Sequence, residues 1–332
     1  MFENLIEVLK ANPRKIVYTE GTDARILESA ARLKKDSFLT PVLVGNVDAV
    51  KEAAAKGGFD IDGLEILDPA TYPAMDEMVK TMFELRKGKM TEEECRANLQ
   101  KGNYFGTMLV KMGVADALLG GATYSTADTV RPALQIVKTK KGANLVSSCF
   151  ILVRGEEMIC MGDCAINISY EDKKDKEGNV TLTAAQQLAE VAIATAKTAK
   201  VFGMDPKVAM LSYSTKGSGK GANVDLVRNA TAIAKEMAPD MAIDGEMQFD
   251  AAVSPVVGQL KFPGSKVAGY ANTFIFPEIQ SGNIGYKIAQ RLGGYMAFGP
   301  ILQGLNAPIN DLSRGCDADE VYKMAIITAA LA

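Results

Sequence analysis

Short apolar runs separated by helical patterns recur along the whole 332-residue chain, and this alternation constrains its fold more than any other feature. The runs that resemble strands lie at 15–19, 41–45, 115–120, 149–153, 208–213, 241–244 and 273–276. Largely apolar strands with helices between them are typical of parallel sheets that are covered on both faces. The sequence therefore predicts an α/β protein with mostly parallel sheets. At roughly 100–200 residues per domain, its length predicts two domains.

The domain bounds follow from changes of pattern, because no low-complexity linker interrupts the chain. Near residue 147 a Gly- and Thr-rich stretch gives way to a new strand. The last helix, after Ser313, is too short to form a domain and is expected to pack on the first one. We therefore predict a discontinuous first domain of residues 1–147 plus 302–332, and a second domain of residues 148–301. The charged run at 171–178 is expected to be a solvated excursion.

Composition excludes several classes of function. The chain has no histidine, so proton transfer must use Asp, Glu, Lys, Tyr or Cys, and no imidazole can bind a metal. The net charge of −3 argues against a nucleic-acid partner. Five scattered cysteines indicate reduced thiols, so we expect a cytoplasmic location. The sequence has no uninterrupted apolar run of about 18 residues, so we expect no membrane span. Acidic residues near the start argue against a signal peptide.

The segment SYSTKGSGKG at 212–221 follows an apolar strand and precedes a helical stretch. Glycines at such a turn expose main-chain N–H groups, and a helix N-terminus adds positive potential, so anions bind there. Lys216, Gly217 and Ser218 are the candidate ligand-binding residues. The segment is not a Walker loop, and a flexible turn without a ligand remains the alternative.

The segment STADTVRP at 125–132 follows the strand at 115–120, so it lies where ligands of open α/β sheets bind. Ser125, Thr126 and Arg131 are candidate substrate-binding residues, and a guanidinium suits a phosphate group. Because Arg131 precedes Pro132, we expect extended geometry at Arg131 and the start of a helix there. A surface ion pair is the alternative role for this arginine.

The segment GPILQGLNAPINDLSRG at 299–315 is rich in turn-forming residues and runs directly into the last helix. Asp317 and Glu320 have the spacing of a capping box at that helix start. Ser313 and Arg314 bring a hydroxyl and a guanidinium to the same place, which suits an anion or a developing oxyanion. Glu320 is either a general base or only a capping residue.

Seven segments, in order along the chain, resemble the phosphotransacetylases (phosphate acetyltransferases) of the phosphate acetyl/butyryltransferase family. They are EGTDARIL at 20–27, GTM at 106–108, STADTVRPALQI at 125–136, STKGS at 214–218, DGEMQFD at 244–250, GNIGYKIAQR at 282–291 and PINDLSRGC at 308–316. Each motif is moderately specific, and their ordered sum is highly specific.

The resemblance implies a fold like that of isocitrate and isopropylmalate dehydrogenases, with two three-layer α/β domains and an interdomain cleft. It implies a homodimer that catalyses acetyl-CoA + phosphate ⇌ acetyl phosphate + CoA. Our hypothesis for the mechanism is direct thiolate attack in a ternary complex. Coenzyme A, acetyl phosphate and phosphate are then substrates, and no bound cofactor or metal is expected.

The resemblance also implies roles for individual residues. Ser313 matches the serine that bonds the reacting centre, and Arg314 matches the arginine that contacts acetyl phosphate. Glu320 stands where the family has an aspartate as candidate base. Substrate contacts are implied for three further arginines: Arg86, Arg131 and Arg291. Tyr124 stands where relatives often have histidine.

Three alternatives stay open. Phosphate butyryltransferases use the same chemistry on a larger acyl group. An NAD- and metal-dependent decarboxylating dehydrogenase shares the architecture, and Asp244, Glu246 and Asp250 offer carboxylates for a metal. A catalytically inactive module is the third alternative, although the chain retains Ser313, Arg314 and Arg131.

Overall fold

The computed structural model describes residues 2–332. The chain forms two compact units, one of residues up to 141 together with 305–332, and the other of residues 142–304. The domain bounds expected from the sequence remain a prediction about which residues fold together as a domain.

Thirteen helices and thirteen strands make up the described chain. The helices are α1 (Phe2–Ala11), α2 (Ala24–Asp36), α3 (Val47–Gly57), α4 (Met75–Arg86), α5 (Glu92–Leu99), α6 (Gly102–Lys111), α7 (Thr126–Pro132), α8 (Ala184–Val201), α9 (Ala222–Met237), α10 (Phe249–Val253), α11 (Pro255–Lys261), α12 (Ile279–Arg291) and α13 (Ala318–Ala330). The strands are β1 (Lys15–Tyr18), β2 (Thr40–Val44), β3 (Glu65–Leu67), β4 (Ala117–Gly120), β5 (Ser147–Arg154), β6 (Glu157–Gly162), β7 (Lys173–Lys174), β8 (Val180–Leu182), β9 (Lys207–Leu211), β10 (Ala242–Met247), β11 (Thr273–Ile275), β12 (Met296–Gln303) and β13 (Ile309–Asp311).

The first unit has a five-stranded parallel sheet in the order β13-β4-β1-β2-β3. Successive side chains of β1 point to opposite faces. The hydroxyl of Tyr18 bonds Ser29 of α2 at 2.6 Å, whereas Val17 lies against Gly106 of α6. Because α2 and α6 therefore cover opposite faces, this unit has three layers.

The second unit has a six-stranded sheet in the order β10-β9-β11-β6-β5-β12, in which only the pairs that involve β5 are antiparallel. Along β9, Val208 and Met210 pack with α8 and α9, whereas Ala209 and Leu211 belong to a separate apolar cluster. That second cluster includes Phe150, whose ring stacks on Tyr286 of α12 at 4.0 Å between centroids. Helices thus cover both faces of this sheet as well.

These architectures confirm the prediction of an α/β fold with mostly parallel sheets. All seven strands expected from apolar runs are present within a few residues of the expected bounds. The capping box expected at Asp317 is formed, and a second capping box, at Thr183, begins α8. The charged run at 171–178 includes β7 and the turn that joins it to β8, and all of its residues are exposed.

Two further properties bear on the expectations from composition. All five cysteines are buried and none forms a disulfide. Across residues 2–332, no helix combines the length and the apolar character that crossing a bilayer requires.

A buried carboxylate joins α7 to the end of β13. Asp311 is 2% exposed and accepts hydrogen bonds from the hydroxyls of Thr126 at 2.6 Å and Thr129 at 2.5 Å. Burial raises the pKa of Asp311 from its ordinary 3.8 to about 6, although both hydrogen bonds lower it, and the charge of Glu20 raises it further. The ionised form of this carboxyl is therefore disfavoured in the folded chain.

Asp311 is expected to make stability depend on pH in the direction opposite to a salt-bridged aspartate. The protonated carboxyl stabilises the fold below about pH 4, and that contribution is lost as the pH rises through the folded pKa near 6. We therefore expect Asp311→Asn to gain stability relative to the natural chain between about pH 4 and about pH 7, by up to about 3 kcal/mol. Urea unfolding across this range measures the difference.

Asp60→Asn is the matched control for this comparison. Asp60 is exposed, and its hydrogen bond with Lys34 lowers the pKa of the carboxyl below its ordinary 3.8, so the stability difference between Asp60→Asn and the natural chain should stay nearly constant between about pH 4 and about pH 7. A difference between Asp311→Asn and the natural chain that stays constant over this pH range would contradict the proposed ionisation.

Candidate functional site

Strands β1, β4 and β13 end together at one edge of the first unit's sheet. The register pairs Tyr18 with Leu119, and Gly120 with Asp311. Because the three strands are parallel, the segments that follow them leave from the same edge, which is where ligands of open α/β sheets bind. Those segments are 19–23, 121–125 and 312–316.

Glu20 fastens the segment after β4 to the segment after β1. Its carboxylate accepts hydrogen bonds from the main-chain N–H of Gly121 at 3.1 Å and of Thr123 at 2.7 Å, and from the Thr123 hydroxyl at 2.8 Å. Gly121 has a φ of +98°, and a Cβ there would lie 2.2 Å from an Asp311 oxygen. Only glycine fits this turn.

Arg25 joins the same segment to the turn before α13. One terminal nitrogen donates to the carbonyl oxygens of Arg314 at 2.9 Å and Cys316 at 3.1 Å. The other donates to the carbonyl oxygen of Ala122 at 2.9 Å. A single guanidinium therefore links three parts of the chain.

The side chains of Ser313 and Arg314 are exposed on the turn between β13 and α13. The Ser313 hydroxyl accepts a hydrogen bond from the Gly315 N–H at 3.3 Å, and the Ser313 carbonyl accepts one from Cys316 at 3.0 Å. Among residues 2–332, the guanidinium of Arg314 has no hydrogen-bond or ion-pair partner. A hydroxyl and a cation thus face solvent side by side, an arrangement that can hold an anion.

Glu320 is a member of the capping box of α13. Its carboxylate accepts the Asp317 N–H at 3.1 Å, and the Asp317 carboxylate accepts the Glu320 N–H at 2.8 Å. Glu320 is half-buried, and one of its carboxylate oxygens is engaged in this cap. The capping role that the sequence suggested is present, and it uses one of the two carboxylate oxygens.

The structure corrects the expectation for Arg131 and Pro132. Helix α7 begins after Ser125 and runs through both residues into a π-helical turn, Ala133–Val137, instead of starting at Arg131. Pro132 has no N–H to donate to the carbonyl four residues earlier. The side-chain amide of Asn103 donates to that Asp128 carbonyl at 2.8 Å, so the missing bond is replaced.

The substrate-binding candidates of α7 lie at its two ends, with Ser125 and Thr126 at the start and Arg131 near the end. The Ser125 hydroxyl bonds Asp128 at 2.7 Å, and Thr126 bonds Asp311. Arg131 is exposed and lies 3.7 Å from Asp128, a long ion pair. Weak surface pairs of this kind leave an arginine available for a ligand.

Arg86 ends α4, and its Nε is buried without a hydrogen-bond partner in the described chain. Arg86 and Arg131 both lower the pKa of Tyr104, which burial raises, so both cations lie near that tyrosine. The fold therefore brings two of the three candidate binding arginines to one neighbourhood.

The loop that contains Lys216, Gly217 and Ser218 belongs to the second unit, between β9 and α9. The Gly217 N–H donates to a carboxylate oxygen of Glu246 at 2.7 Å, and the Lys216 N–H donates to the Glu246 carbonyl at 3.1 Å. The Ser218 hydroxyl accepts a hydrogen bond from Thr215 at 2.9 Å. The Lys216 and Gly217 N–H groups are thus already bonded to Glu246 of β10, so the expected exposed anion-binding turn is only partly present.

A cavity of about 620 Å³ lies beside this loop. Cations and carboxylates both line it, together with one aromatic ring: Lys216, Arg228, Lys235, Asp244, Glu246 and Phe262. The third candidate binding arginine, Arg291, is exposed at the end of α12, near Tyr286.

The three carboxylates considered for a metal site have separate partners. Asp244 pairs with Lys235 at 2.6 Å, and Asp250 pairs with Lys261 at 2.8 Å. Glu246 accepts the Ser214 hydroxyl at 3.0 Å. Within residues 2–332, no three His, Cys, Asp or Glu side chains are grouped as metal ligands.

The residues that the sequence did not single out are Glu20, Arg25 and Asp311. Glu20 follows the end of β1, Arg25 lies in the first turn of α2, and Asp311 is the last residue of β13, all at the same edge of the sheet. Their positions at the ends of strands or the start of a helix could have identified them as candidates. Glu20 and Arg25 also both lie within the EGTDARIL segment at 20–27.

Comparisons with known proteins agree on one family. The model of the family described as phosphate acetyl/butaryl transferase matches residues 1–329. A phosphate acetyltransferase of Bacillus subtilis (strain 168) is 50% identical over 332 residues, covering 100% of this chain and 99% of the relative.

Solved structures agree with this match. A phosphotransacetylase from Streptococcus pyogenes is 52% identical, with a TM-score of 0.93, 99% of this chain covered and 97% of that one. A branched-chain phosphotransacylase from Enterococcus faecalis V583 is 17% identical over 96% of this chain and 99% of that one, with a TM-score of 0.67, which speaks for the fold alone. By the family model and by identity over its full length, the chain belongs to the phosphate acetyl/butaryl transferase family.

Proposed function

We propose that this enzyme is a phosphate acetyltransferase that moves acetyl reversibly between coenzyme A and inorganic phosphate. The observation that carries the proposal is the exposed pair Ser313 and Arg314 on the turn before α13, with the Arg314 guanidinium free of protein partners in the described chain. Family membership and the name of the Bacillus subtilis relative support the acetyl group.

In this proposal both substrates bind together and react directly. The coenzyme A thiolate attacks the carbonyl carbon of acetyl phosphate, a carbon–sulfur bond forms, and the bond from that carbon to the phosphate oxygen breaks. Phosphate leaves as an anion and the thiol proton goes to a base. Ser313 and Arg314 stabilise the negative charge on the carbonyl oxygen, and each good donor contributes about 3 kcal/mol.

Glu320 is the proposed base. One carboxylate oxygen is engaged in the capping box with Asp317, and the second oxygen is the proposed proton acceptor. The two roles do not exclude each other, because a capping-box carboxylate uses a single oxygen for the cap.

The remaining candidates are proposed to bind substrate. Arg86 and Arg131, both near Tyr104, would hold phosphate groups, and Ser125 and Thr126 begin the helix that carries Arg131. The contacts proposed in the second unit come from four residues: Lys216, Gly217, Ser218 and Arg291.

We further propose a cytoplasmic homodimer. Five buried, unpaired cysteines support a reducing compartment. Along α12 and its end, Ile284, Ile288 and Leu292 recur every fourth residue and are 58%, 53% and 85% exposed. Such an apolar stripe supports burial against a second copy of the chain.

A thiol-release assay tests the proposed reaction. Acetyl-CoA is incubated with the enzyme with and without inorganic phosphate, and free thiol is followed over time. We expect release only with phosphate. Because the family name also covers transfer of a butyryl group, butyryl-CoA is compared as the acyl donor, and a clear preference for it would replace acetyl by butyryl in the proposal. Thiol release at the same rate with and without phosphate would contradict the proposed function.

Ser313→Ala and Arg314→Gln are each expected to lower kcat by about 100-fold, because each removes a donor from the developing oxyanion. Both side chains are exposed, so the melting temperature should stay near that of the natural chain. Arg96→Gln, which removes an exposed guanidinium paired with Asp76, is the control and should keep full activity. Loss of activity that only follows loss of stability would refute the assignment.

Glu320→Gln separates catalysis from capping. Glutamine at this position preserves the capping box, so the variant should unfold like the natural chain while kcat falls at least about tenfold. Asp317→Ala is the converse variant, with about 1 kcal/mol lower stability and nearly normal kcat. Full activity of Glu320→Gln would leave Glu320 as a capping residue only.

A further inference from the structure

We propose that Arg25 is a positioning residue for the acyl-transfer site, because it holds the turn that carries Ser313 and Arg314 through main-chain carbonyl oxygens of that turn. The inference rests on the proposed function and adds a residue that touches neither substrate nor reacting atoms. It concerns only the first unit, to which every residue in the argument belongs.

The contacts of Arg25 use all three kinds of guanidinium nitrogen. Nη1 donates to the carbonyl oxygens of Arg314 at 2.9 Å and Cys316 at 3.1 Å. Nη2 donates to the carbonyl oxygen of Ala122 at 2.9 Å, and Nε donates to Asp23 at 2.9 Å. This planar fork fixes the distance between the turn after β4 and the turn after β13, and a lysine ammonium cannot reproduce it.

Asp23 keeps the fork in place. Its carboxylate caps α2 through the Arg25 main-chain N–H at 2.9 Å and accepts Nε and Nη2 of the same residue at 2.9 and 2.8 Å. These bonds to Arg25 lower the pKa of Asp23. The side chains of Asp23 and Arg25 are only 15% and 27% exposed, so the pair is shielded from solvent and held in one orientation.

The turn itself has few bonds that would define its shape. Ser313, Arg314 and Gly315 are all exposed, and the turn's own hydrogen bonds are the Cys316 N–H to the Ser313 carbonyl at 3.0 Å and the Gly315 N–H to the Ser313 hydroxyl at 3.3 Å. Because Arg25 binds the carbonyls on both sides of Gly315, it sets the direction in which the Arg314 side chain leaves the main chain. Misplacement of a reacting group by about 1 Å costs about 100-fold in rate.

A double-mutant cycle tests whether Arg25 acts through Arg314. We expect Arg25→Lys to lower kcat/KM about tenfold or more in the natural chain, and less than about threefold in the Arg314→Gln background. A residue that only stabilises the fold would lower kcat/KM by the same factor in both backgrounds. That result would overturn the proposal.

Arg32→Lys is the matched control. Arg32 lies on the same helix, α2, and also contacts α13, through Asp319 at 3.1 Å and the ring of Tyr322 at 4.0 Å, but it does not touch the turn. Its kcat/KM should stay within about twofold of the natural value. Asp23→Asn tests the same inference in a second way, because it weakens the hydrogen bonds that hold the Arg25 guanidinium without removing that group. This variant should also lower kcat/KM, by a smaller factor than Arg25→Lys.

Amide hydrogen exchange of peptides covering residues 312–318 gives a readout that does not depend on activity. Arg25→Lys should exchange faster in this segment than either the natural chain or Arg32→Lys. Unchanged exchange would overturn the proposal even if activity falls. If the natural chain shows no phosphate-dependent thiol release, the proposed function fails, and the exchange comparison still decides whether Arg25 holds the turn.

Discussion

The proposed site depends on how the loops at one edge of a parallel sheet are fastened to each other. Strands β1, β4 and β13 deliver their following segments to that edge, but parallel strands alone do not define where loops go. Glu20, Arg25 and Asp311 supply the missing restraints by bonding main-chain N–H groups, main-chain carbonyls and side-chain hydroxyls of neighbouring segments. These contacts hold the main chain of the neighbouring segments in place, and the main chain determines where the exposed side chains of Ser313 and Arg314 lie.

Local patterns in the sequence were sufficient for most of the fold. Apolar runs predict the central strands because burial on both faces leaves little room for polar residues. Capping boxes at Thr183 and Asp317 are predictable because both partners lie within three residues. Strand β13 was missed, since three residues in a turn-rich segment become a strand only by pairing with β4. The helix through Pro132 was also missed, because a distant Asn103 replaces the lost hydrogen bond.

Individual residues of the proposed site could be predicted from the sequence, but the long-range contacts that hold them together could not. Ser313, Arg314 and the α7 residues are recognisable because their motifs are short and contiguous. The contact from Arg25 to Arg314 spans 289 residues, and that from Glu20 to Gly121 spans 101, so no local pattern reveals them. The loop at Lys216 shows the converse limit. Its glycines suggested free main-chain N–H groups, but Glu246, which comes later in the chain, accepts hydrogen bonds from the N–H groups of Lys216 and Gly217.

A crystal structure of the natural chain with coenzyme A and inorganic phosphate would test the central claim most directly. We expect density for phosphate within hydrogen-bond distance of the Ser313 hydroxyl and the Arg314 guanidinium, with the coenzyme A sulfur on the same side of that turn. Density for both ligands with no contact to Ser313 or Arg314 would contradict it.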